Sequence, residues 1–360
     1  MSLISQEFEQ WQAHSSKLCL KTLDCHTGGE PLRIITSGWP QLKGQSILAK
    51  RRDCQENYDH LRTSLMFEPR GHADMYGAII VDADRDNSHF GAIFIHNEGY
   101  STMCGHAVIA LAKFAVESGV VKKTGNKTEV IIDVPCGQII AQAHSDNCKD
   151  SNNTTRENHE ITAVSFNCVP SFMFLSDKSV VIDQIGKVNF DVGFGGAFYA
   201  YVNADELGLS LTKANHQKII HYGKAIKAAV MDKFSIEHPF EKDLSFLYGV
   251  IFYDDNQTNI YSRNVCIFAN GELDRSPTGS GVSGRIAIEL AKDKLKLDQE
   301  ITIESILGST FKVKAIETLE YGGYNAVIPQ VSGSAYICGR SEWFIDANDP
   351  LKIGFLLQDE

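Results

Sequence analysis

The sequence predicts an α+β fold made of two similar halves, because three features occur twice in the same order. A Gly-Gly turn between apolar strands occurs at Gly28-Gly29 and again at Gly195-Gly196. An apolar helix begins 75 residues after the first pair, at Cys104, and 82 residues after the second, at Thr278. A hairpin with a central glycine then follows each helix, at Gly137 and at Gly308. This common order and spacing indicates an internal repeat rather than chance recurrence of turns.

The composition is that of an ordinary soluble globular protein. Of 360 residues, 43% are hydrophobic and 22% are charged, and a chain of this length suggests about two domains. The formal net charge of −11 argues against nucleic acid and anionic membranes as partners. No window reaches about 18 consecutive apolar residues, so no transmembrane helix is predicted.

The cysteines and the N-terminus predict a cytoplasmic location. Nine scattered cysteines form no CxxC pair, and residues 1–17 lack the apolar core of a signal peptide. No histidine pair has zinc spacing, and the spacings of His26, His72 and Asp74 fit no standard site, so we expect no metal.

The first half predicts a strand-rich domain interrupted by helices. Residues 1–17 suggest a tail or a short helix, and alternating apolar residues predict strands on both sides of the first Gly-Gly turn. Residues 41–65 have a mostly helical pattern, a turn follows at 68–72, and the helix at Cys104 is ended by Gly119. The predicted strands are 18–23, 32–36, 75–82, 89–96, 129–134 and 138–144.

The second half repeats this plan after a polar loop at 146–160, which we interpret as a solvated insertion. Helical patterns span 216–231 and 282–290, the second directly after Thr278. Strands are expected at 161–167, 172–175, 187–191, 247–253 and 265–268. We expect domains at 18–185 and 186–340, with 341–360 packing back on the first.

Cys104 stands where chemistry is expected, at the start of an apolar helix. Free amides and the helix dipole stabilise a thiolate there and can lower a cysteine pKa to about 3.5–7.5. The same amides can hold a carboxylate or phosphate. The alternative is that Cys104 is one more small buried hydrophobe. If the two helix N-termini face each other across a domain cleft, their amides together form a carboxylate site.

Two motifs carry a resemblance to a known family. Met103-Cys104-Gly105-His106 and Asp274-Arg275-Ser276-Pro277-Thr278-Gly279-Ser280-Gly281, with Asp24–Pro31, Glu68–Gly77 and Gly195–Tyr199, resemble the proline racemase family over roughly residues 18–357. The resemblance implies a two-domain fold like that of diaminopimelate epimerase, each domain a curved sheet or barrel around a central helix. It also implies an active site in the interdomain cleft, no cofactor, a small-molecule substrate and a homodimer.

The resemblance also assigns roles to residues. Racemases of this family begin both helices with cysteine, whereas Thr278 here resembles the branch that dehydrates trans-3-hydroxy-L-proline. Main-chain amides of four residues would hold the substrate carboxylate: Gly105, His106, Gly279 and Ser280. Asp274, alone or together with the His106 side chain, would contact the ring amine. Tyr76 and Phe268 would line the ring pocket. Asp274 as a helix cap is the structural alternative.

Acid–base chemistry agrees with a dehydratase. A cysteine pKa can be tuned near the working pH, whereas a threonine alkoxide is too scarce to act as a base. One base at Cys104 suffices to remove a Cα proton and release an adjacent hydroxyl as water, giving Δ1-pyrroline-2-carboxylate after tautomerisation. Racemisation needs a second base on the opposite face. The alternatives are a proline or 4-hydroxyproline racemase or epimerase, and a catalytically silent amino-acid-binding protein. The group that protonates the leaving hydroxyl, Cys104 thiol or His106, stays open.

Overall fold

A computed structural model describes residues 11–15, 17–145, 148–149, 155–156 and 160–357. The predicted tail at 1–17 therefore lies mostly outside the described residues. So does most of the predicted loop at 146–160, of which only two short strands and residue 160 are described. No helix within the described ranges is both long and apolar enough to cross a membrane.

The first half contains three helices and most of the predicted strands. The helices are α1 (Ile47–Asn57), α2 (Asp59–Met66) and α3 (Gly105–Glu117). The strands are β1 (Leu18–Thr27), β2 (Glu30–Ser37), β3 (Tyr76–Val81), β4 (Phe90–His96), β5 (Gly99–Ser101), β6 (Lys127–Val134), β7 (Gly137–His144), β8 (Cys148–Lys149), β9 (Thr155–Arg156), β10 (Ala163–Asn167) and β11 (Ser171–Ile182).

The second half contains two long helices and the remaining strands. The helices are α4 (His216–Lys233) and α5 (Gly279–Ala291). The strands are β12 (Gly186–Phe194), β13 (Phe198–Asn203), β14 (Leu247–Asp254), β15 (Ser262–Phe268), β16 (Glu272–Leu273), β17 (Ile301–Glu304), β18 (Thr310–Tyr321), β19 (Tyr324–Gly333) and β20 (Ala335–Ile345). Short 3-10 turns lie at Asp205–Leu207, Lys213–Asn215 and Lys242–Leu244.

The two halves pair their strands in the same sequence of parallel and antiparallel ladders. In the first half β1–β2 is antiparallel, β2–β3 parallel, β3–β4 antiparallel and β4–β6 parallel. In the second, β12–β13, β13–β14, β14–β15 and β15–β17 repeat that series. The repeat seen in the sequence is therefore a repeat of topology, and α3 and α5 occupy equivalent places in it.

Strands also cross between the halves. Strand β10 pairs with β19, β11 pairs with β12 and β19, and β20 pairs with β1. Strands β10, β11 and β20 thus each pair with a strand of the other half. The domain boundary predicted at residue 185 falls in the turn of the β11–β12 hairpin and stays a prediction.

Helices α3 and α5 are the centres of the two halves. Apart from residues near their C-terminal ends and Phe114 of α3, their side chains are buried from the first turn onward. A helix that is apolar all round requires packing on every side, and the curved strands of each half supply it. Their N-termini consequently lie inside the molecule.

Some elements differ from the expected ones. The helical pattern at 41–65 forms two helices separated by Tyr58, and α1 begins only after Ser46, whose hydroxyl accepts the Ala49 amide. Strands β11 and β12 extend beyond the predicted segments at 172–175 and 187–191. Strands β19 and β20 were not predicted. Residues 336–340 of β20 are all exposed, so no alternation marks that stretch as a strand.

Candidate active site

The N-termini of α3 and α5 meet at the centre of the molecule. A Cβ atom added to Gly105 would lie 2.5 Å from the Cα of Gly279, and the reverse distance is also 2.5 Å. Only glycine at both positions allows this approach. The backbone amides at the start of the two helices are therefore brought to one place, as an anion site between converging helix N-termini requires.

A small cavity lies at this junction, with about 20 Å³ open to the centre of a water-sized sphere. This is far below the volume range typical of sites for drug-sized ligands, so the cavity is tightly closed and suits only a small molecule. All nine residues predicted for the site line it: Tyr76, Cys104, Gly105, His106, Phe268, Asp274, Thr278, Gly279 and Ser280. Three further residues complete the lining: Met103, Tyr199 and Tyr248. The roles predicted for these residues stay predictions.

Cys104 caps helix α3 with its sulfur. The Sγ atom accepts the Ala107 amide at 3.4 Å, and His106 Nδ1 lies 3.1 Å from the same sulfur. Thr27 fixes this turn from β1, because its hydroxyl donates to the His106 carbonyl at 2.8 Å. The thiol and the imidazole are thus held together by local backbone geometry.

Burial dominates the protonation of this pair. It raises the pKa of the Cys104 thiol well above its usual range, while the Ala107 amide acts in the opposite direction. The amide at the helix N-terminus thus lowers the thiol pKa, as the sequence suggested, but burial outweighs it. Burial also lowers the pKa of His106 to about 4, so its imidazole is neutral near pH 7. A neutral imidazole beside a thiol is a hydrogen-bond acceptor for it.

Thr278 begins the second helix in a left-handed backbone conformation, with φ of 68°. Its hydroxyl donates to Asp274 Oδ2 at 2.7 Å, and its amide donates to the Ser276 hydroxyl at 3.1 Å. The hydroxyl proton is thus directed to a carboxylate. An anion at this distance disfavours the alkoxide that a base would need.

Asp274 organises the loop before α5 while lining the cavity. Its Oδ1 atom accepts the Ser276 amide at 2.7 Å. Next to this loop, the buried carboxylate of Glu30 accepts the Arg275 amide at 2.7 Å. Burial raises the pKa of Glu30 well above its usual range, and the charge of Asp274 adds to this. Asp274 is therefore the carboxylate available as an anionic partner at the cavity surface.

Aromatic rings form the wall opposite the helix N-termini. Phe268 stacks on Tyr248 with ring centroids 5.5 Å apart, and the rings of Tyr76 and His106 meet edge to face with centroids 4.9 Å apart. Tyr199 donates to or accepts from the Ser280 hydroxyl at 2.7 Å. Amides on one side and rings on the other suit a small amino acid with an apolar ring.

Sequence comparison places these features in a known family. A sequence model described as proline racemase matches residues 22–356 of the chain. The chain is a member of the proline racemase family. The resemblance drawn from the Cys104 and Thr278 motifs is therefore confirmed at the level of the family.

Curated members of the proline racemase family include relatives with a more specific name. The chain is 62% identical over 356 residues to a protein of Colwellia psychrerythraea named trans-3-hydroxy-L-proline dehydratase, covering 98% of this chain and 97% of that protein. It is 44% identical over 345 residues to a human protein of the same name, with 94% and 95% covered.

Solved structures of the family confirm the predicted fold. A hydroxyproline epimerase from Agrobacterium vitis, solved with bound trans-4-hydroxy-L-proline, is 26% identical with a TM-score of 0.87 and covers 96% of this chain. The match covers 97% of that structure. Our structure is thus an α+β protein of the proline racemase fold.

Other residues considered from the sequence lie elsewhere in this family member. His26 Nδ1 accepts the Gly29 amide at 3.3 Å, and His72 Nδ1 contacts the Ala73 carbonyl. Asp74 pairs with Arg275 at 2.7 Å, and Asp24 pairs with Arg33. Each of these groups has a structural partner away from the lining of the cavity.

Sequence reasoning missed Tyr248, although a signal was present. Tyr76-Gly77 lies at the start of β3 and Tyr248-Gly249 lies near the start of β14, so the internal repeat extends to this dipeptide. Both glycines lie in the parallel ladder of their half, where Gly77 pairs with Arg33 of β2 and Gly249 with Tyr199 of β13. Tyr199 itself lies in the motif that follows the second Gly-Gly turn. Extending the repeat to the strands would have found both.

Proposed function

We propose that the protein is a hydro-lyase that converts trans-3-hydroxy-L-proline to Δ1-pyrroline-2-carboxylate and water. The observation that carries this proposal is the unequal pair of residues at the two helix N-termini. Cys104 is the one thiol among the described lining residues of the cavity, and Thr278 occupies the equivalent place on the other helix. The names of the Colwellia and human relatives support the same reaction.

The substrate carboxylate binds to the amides of the converging helices. Gly105, His106, Gly279 and Ser280 all line the cavity, and their position at helix N-termini, which favour negative charge, supports this role. These amides also stabilise the charge that develops on the carboxylate when the Cα proton leaves. Asp274 at the cavity surface pairs with the secondary ammonium of the ring.

Cys104 removes the Cα proton as a thiolate. Burial favours the neutral thiol, but the ammonium group of the substrate introduces a positive charge that stabilises the thiolate. His106 Nδ1, 3.1 Å from the sulfur and neutral, is in place to accept the thiol proton. Substrate binding and activation of the base are thus coupled. Activity is expected to require a pH high enough to ionise a thiol whose pKa burial has raised.

Thr278 prevents inversion of configuration at Cα. Its hydroxyl donates to Asp274 and neither takes nor returns a Cα proton near pH 7. A carbanion formed on the Cys104 face therefore receives no proton from the opposite face. Loss of the adjacent hydroxyl is the productive way forward, whereas racemisation would need a second thiol.

The hydroxyl leaves on the Cys104 side. In the trans isomer it lies on the same ring face as the Cα hydrogen, so the thiol formed by proton abstraction faces the departing oxygen. The thiol proton passes to this oxygen, the C3–O bond breaks, and the electron pair of the Cα–H bond forms the double bond. The enamine then tautomerises to the cyclic imine. The sulfur is then a thiolate again, while His106 keeps the first thiol proton and is the alternative acid for the departing oxygen.

Incubation with three ring amino acids tests the proposal. Trans-3-hydroxy-L-proline should yield an imine, whereas L-proline and trans-4-hydroxy-L-proline should show no change in optical rotation. Because thiolate acid–base chemistry needs no added group, we propose that activity persists in EDTA. Cys104→Ser should lose about 10³-fold or more of kcat, since a serine hydroxyl is a far weaker acid than a thiol. Near-normal dehydration by this variant would contradict the mechanism, and inversion of proline would favour a racemase. Binding without turnover would favour a silent binding protein.

A cytoplasmic location and a homodimer complete the proposal. The sequence supports the first through its scattered cysteines, and family membership supports the second. Cell fractionation and gel filtration test them separately.

A further inference from the structure

Tyr248 carries a buried hydroxyl that the mechanism above does not use. Its Oη atom has no hydrogen-bond partner at normal distance and angle within the described part of the chain, although the hydroxyls of Tyr76 and Ser101 are its neighbours and its residue lines the cavity. Leaving a buried polar group unpaired costs free energy, so such groups need an explanation. A ligand in the cavity is the nearest partner for it.

The other polar side chains of the lining already have partners. Both oxygens of Asp274 accept hydrogen bonds from its own loop, and Asp274 remains the anion for the ammonium. The Ser280 hydroxyl is engaged with Tyr199 at 2.7 Å. After the carboxylate and the amine are placed, the substrate has one more polar group, its ring hydroxyl. Tyr248 is the lining residue left to receive it.

The repeat places a second phenol beside the first. Tyr76 and Tyr248 open equivalent strands of the two halves, and both rings contact Phe268, with centroids 6.1 Å and 5.5 Å away. Burial raises the pKa of both phenols, and each also influences the other. Both therefore stay protonated near pH 7 and act as hydrogen-bond donors.

Tyr76 lies beside the Cys104–His106 pair. The ring centroids of Tyr76 and His106 are 4.9 Å apart, and His106 Nδ1 is 3.1 Å from the Cys104 sulfur. Tyr248 lies on the same wall, because both phenol rings contact Phe268. A hydroxyl trans to the carboxylate projects toward the Cys104 face, and so toward these phenols.

We propose that the Tyr248 hydroxyl, with that of Tyr76 beside it, donates a hydrogen bond to the 3-hydroxyl oxygen of the substrate and selects for that group. The proposal rests on the proposed function and deepens it. No proton is transferred by the phenol, because the Cys104 thiol supplies the proton that completes the water. The hydrogen bond stabilises negative charge on the departing oxygen. A site built for a hydroxyl also disfavours L-proline, since its donor is then unpaired.

Tyr248→Phe separates this role from pocket shape. We expect kcat/KM for trans-3-hydroxy-L-proline to fall by about 100-fold or more, as for loss of one donor to developing charge. The inhibition constant of L-proline, which has no hydroxyl, should stay within about threefold of the wild-type value or become tighter. Tyr76→Phe should likewise lower kcat/KM for trans-3-hydroxy-L-proline more than it weakens the binding of L-proline.

Tyr201→Phe is the matched control. Tyr201 is equally buried, its hydroxyl donates to the Gly281 carbonyl at 2.7 Å, and it does not line the cavity. Tyr201→Phe should not change kcat/KM for trans-3-hydroxy-L-proline relative to the binding of L-proline, whatever its effect on stability. A Tyr248→Phe enzyme with near wild-type kcat/KM, or one that loses L-proline binding in parallel, would overturn the inference. If the wild-type protein does not dehydrate trans-3-hydroxy-L-proline, the proposed function fails first and independently of Tyr248.

Discussion

Thr278 holds a backbone conformation that β-branched residues rarely adopt. A φ of 68° costs such a residue about 1–3 kcal/mol, which the surrounding structure must offset. Its side-chain bond to Asp274 and its amide bond to Ser276 do so. Thr278 directly precedes Gly279 and Ser280, the first residues of α5, which line the cavity. The backbone strain therefore lies at the site itself.

Replacing Thr278 by cysteine tests whether the missing thiol limits the chemistry. Thr278→Cys should introduce Cα epimerisation of proline or 4-hydroxyproline, because a second thiol then faces the opposite side of Cα. Proton exchange in D2O and optical rotation measure it together. Thr278→Ser is the control, since it keeps a hydroxyl and should not invert the substrate. Exchange at Cα without inversion in the cysteine variant would contradict the expectation.

Cys104 shows where residue-level prediction ended. Its place at a helix N-terminus followed from the apolar pattern beginning there, and the structure has the sulfur on the Ala107 amide. The direction of its pKa did not follow, because desolvation depends on rings and helices from both halves. A single sequence indicates that Cys104 begins the helix, but it does not show how completely the Cys104 side chain is buried.

Helices α3 and α5 were the elements best predicted from sequence. Their apolar runs marked both helices, and Gly119 marked the C-terminal end of α3. The 2.5 Å clearance around Gly105 and Gly279 was not predictable, because it depends on how two distant segments cross. The flanking strands were predicted less well wherever both faces are exposed, as in β20, or where a bulge interrupts the pairing, as in β11.

Gly279→Ala tests the contact between the helices. Alanine alone would favour a helix by up to about 1 kcal/mol over glycine. Here its Cβ would meet the Gly105 backbone, and overpacking typically costs about 1–3 kcal/mol, so the variant should be destabilised. Turnover should fall as well, because the amides at the cavity move apart.

Urea unfolding and steady-state kinetics measure the two effects. Gly339→Ala in β20 is the control, since a Cβ there meets no atom within 4 Å. A Gly279→Ala protein as stable and active as wild type would show that the helix N-termini do not touch.

The whole molecule is held by strands that leave one half for the other. The repeat in the sequence predicted two similar halves, and the ladders repeat in the same order. Residues 341–360 were expected to pack back on the first half, but the repeat did not predict that β20 would pair with β1 along its full length. Such pairing joins segments about 320 residues apart in the chain, and local patterns carry no information about it.

Trp343 of β20 tests how much this return contributes to stability. Its indole donates to the Thr22 hydroxyl at 2.9 Å, and the Arg33 guanidinium lies 4.2 Å from its ring centre. Trp343→Ala should lower the free energy of unfolding by about 2 kcal/mol, less than a fully buried tryptophan would. Trp343→Phe keeps a ring and should lose less in the same urea titration. Equal stability of the alanine variant and wild type would show that β20 adds little.

The reactive sulfur is almost sealed from water. Cys104 is 4% exposed and Thr278 is 6% exposed. A ring the size of proline cannot enter so closed a cavity unless the residues around it move. We therefore expect the two halves to separate when substrate enters and to close before reaction, so that hydrogen bonds joining them, such as Thr102 to the Gly196 carbonyl and Ser309 to the Gly28 carbonyl, break and re-form.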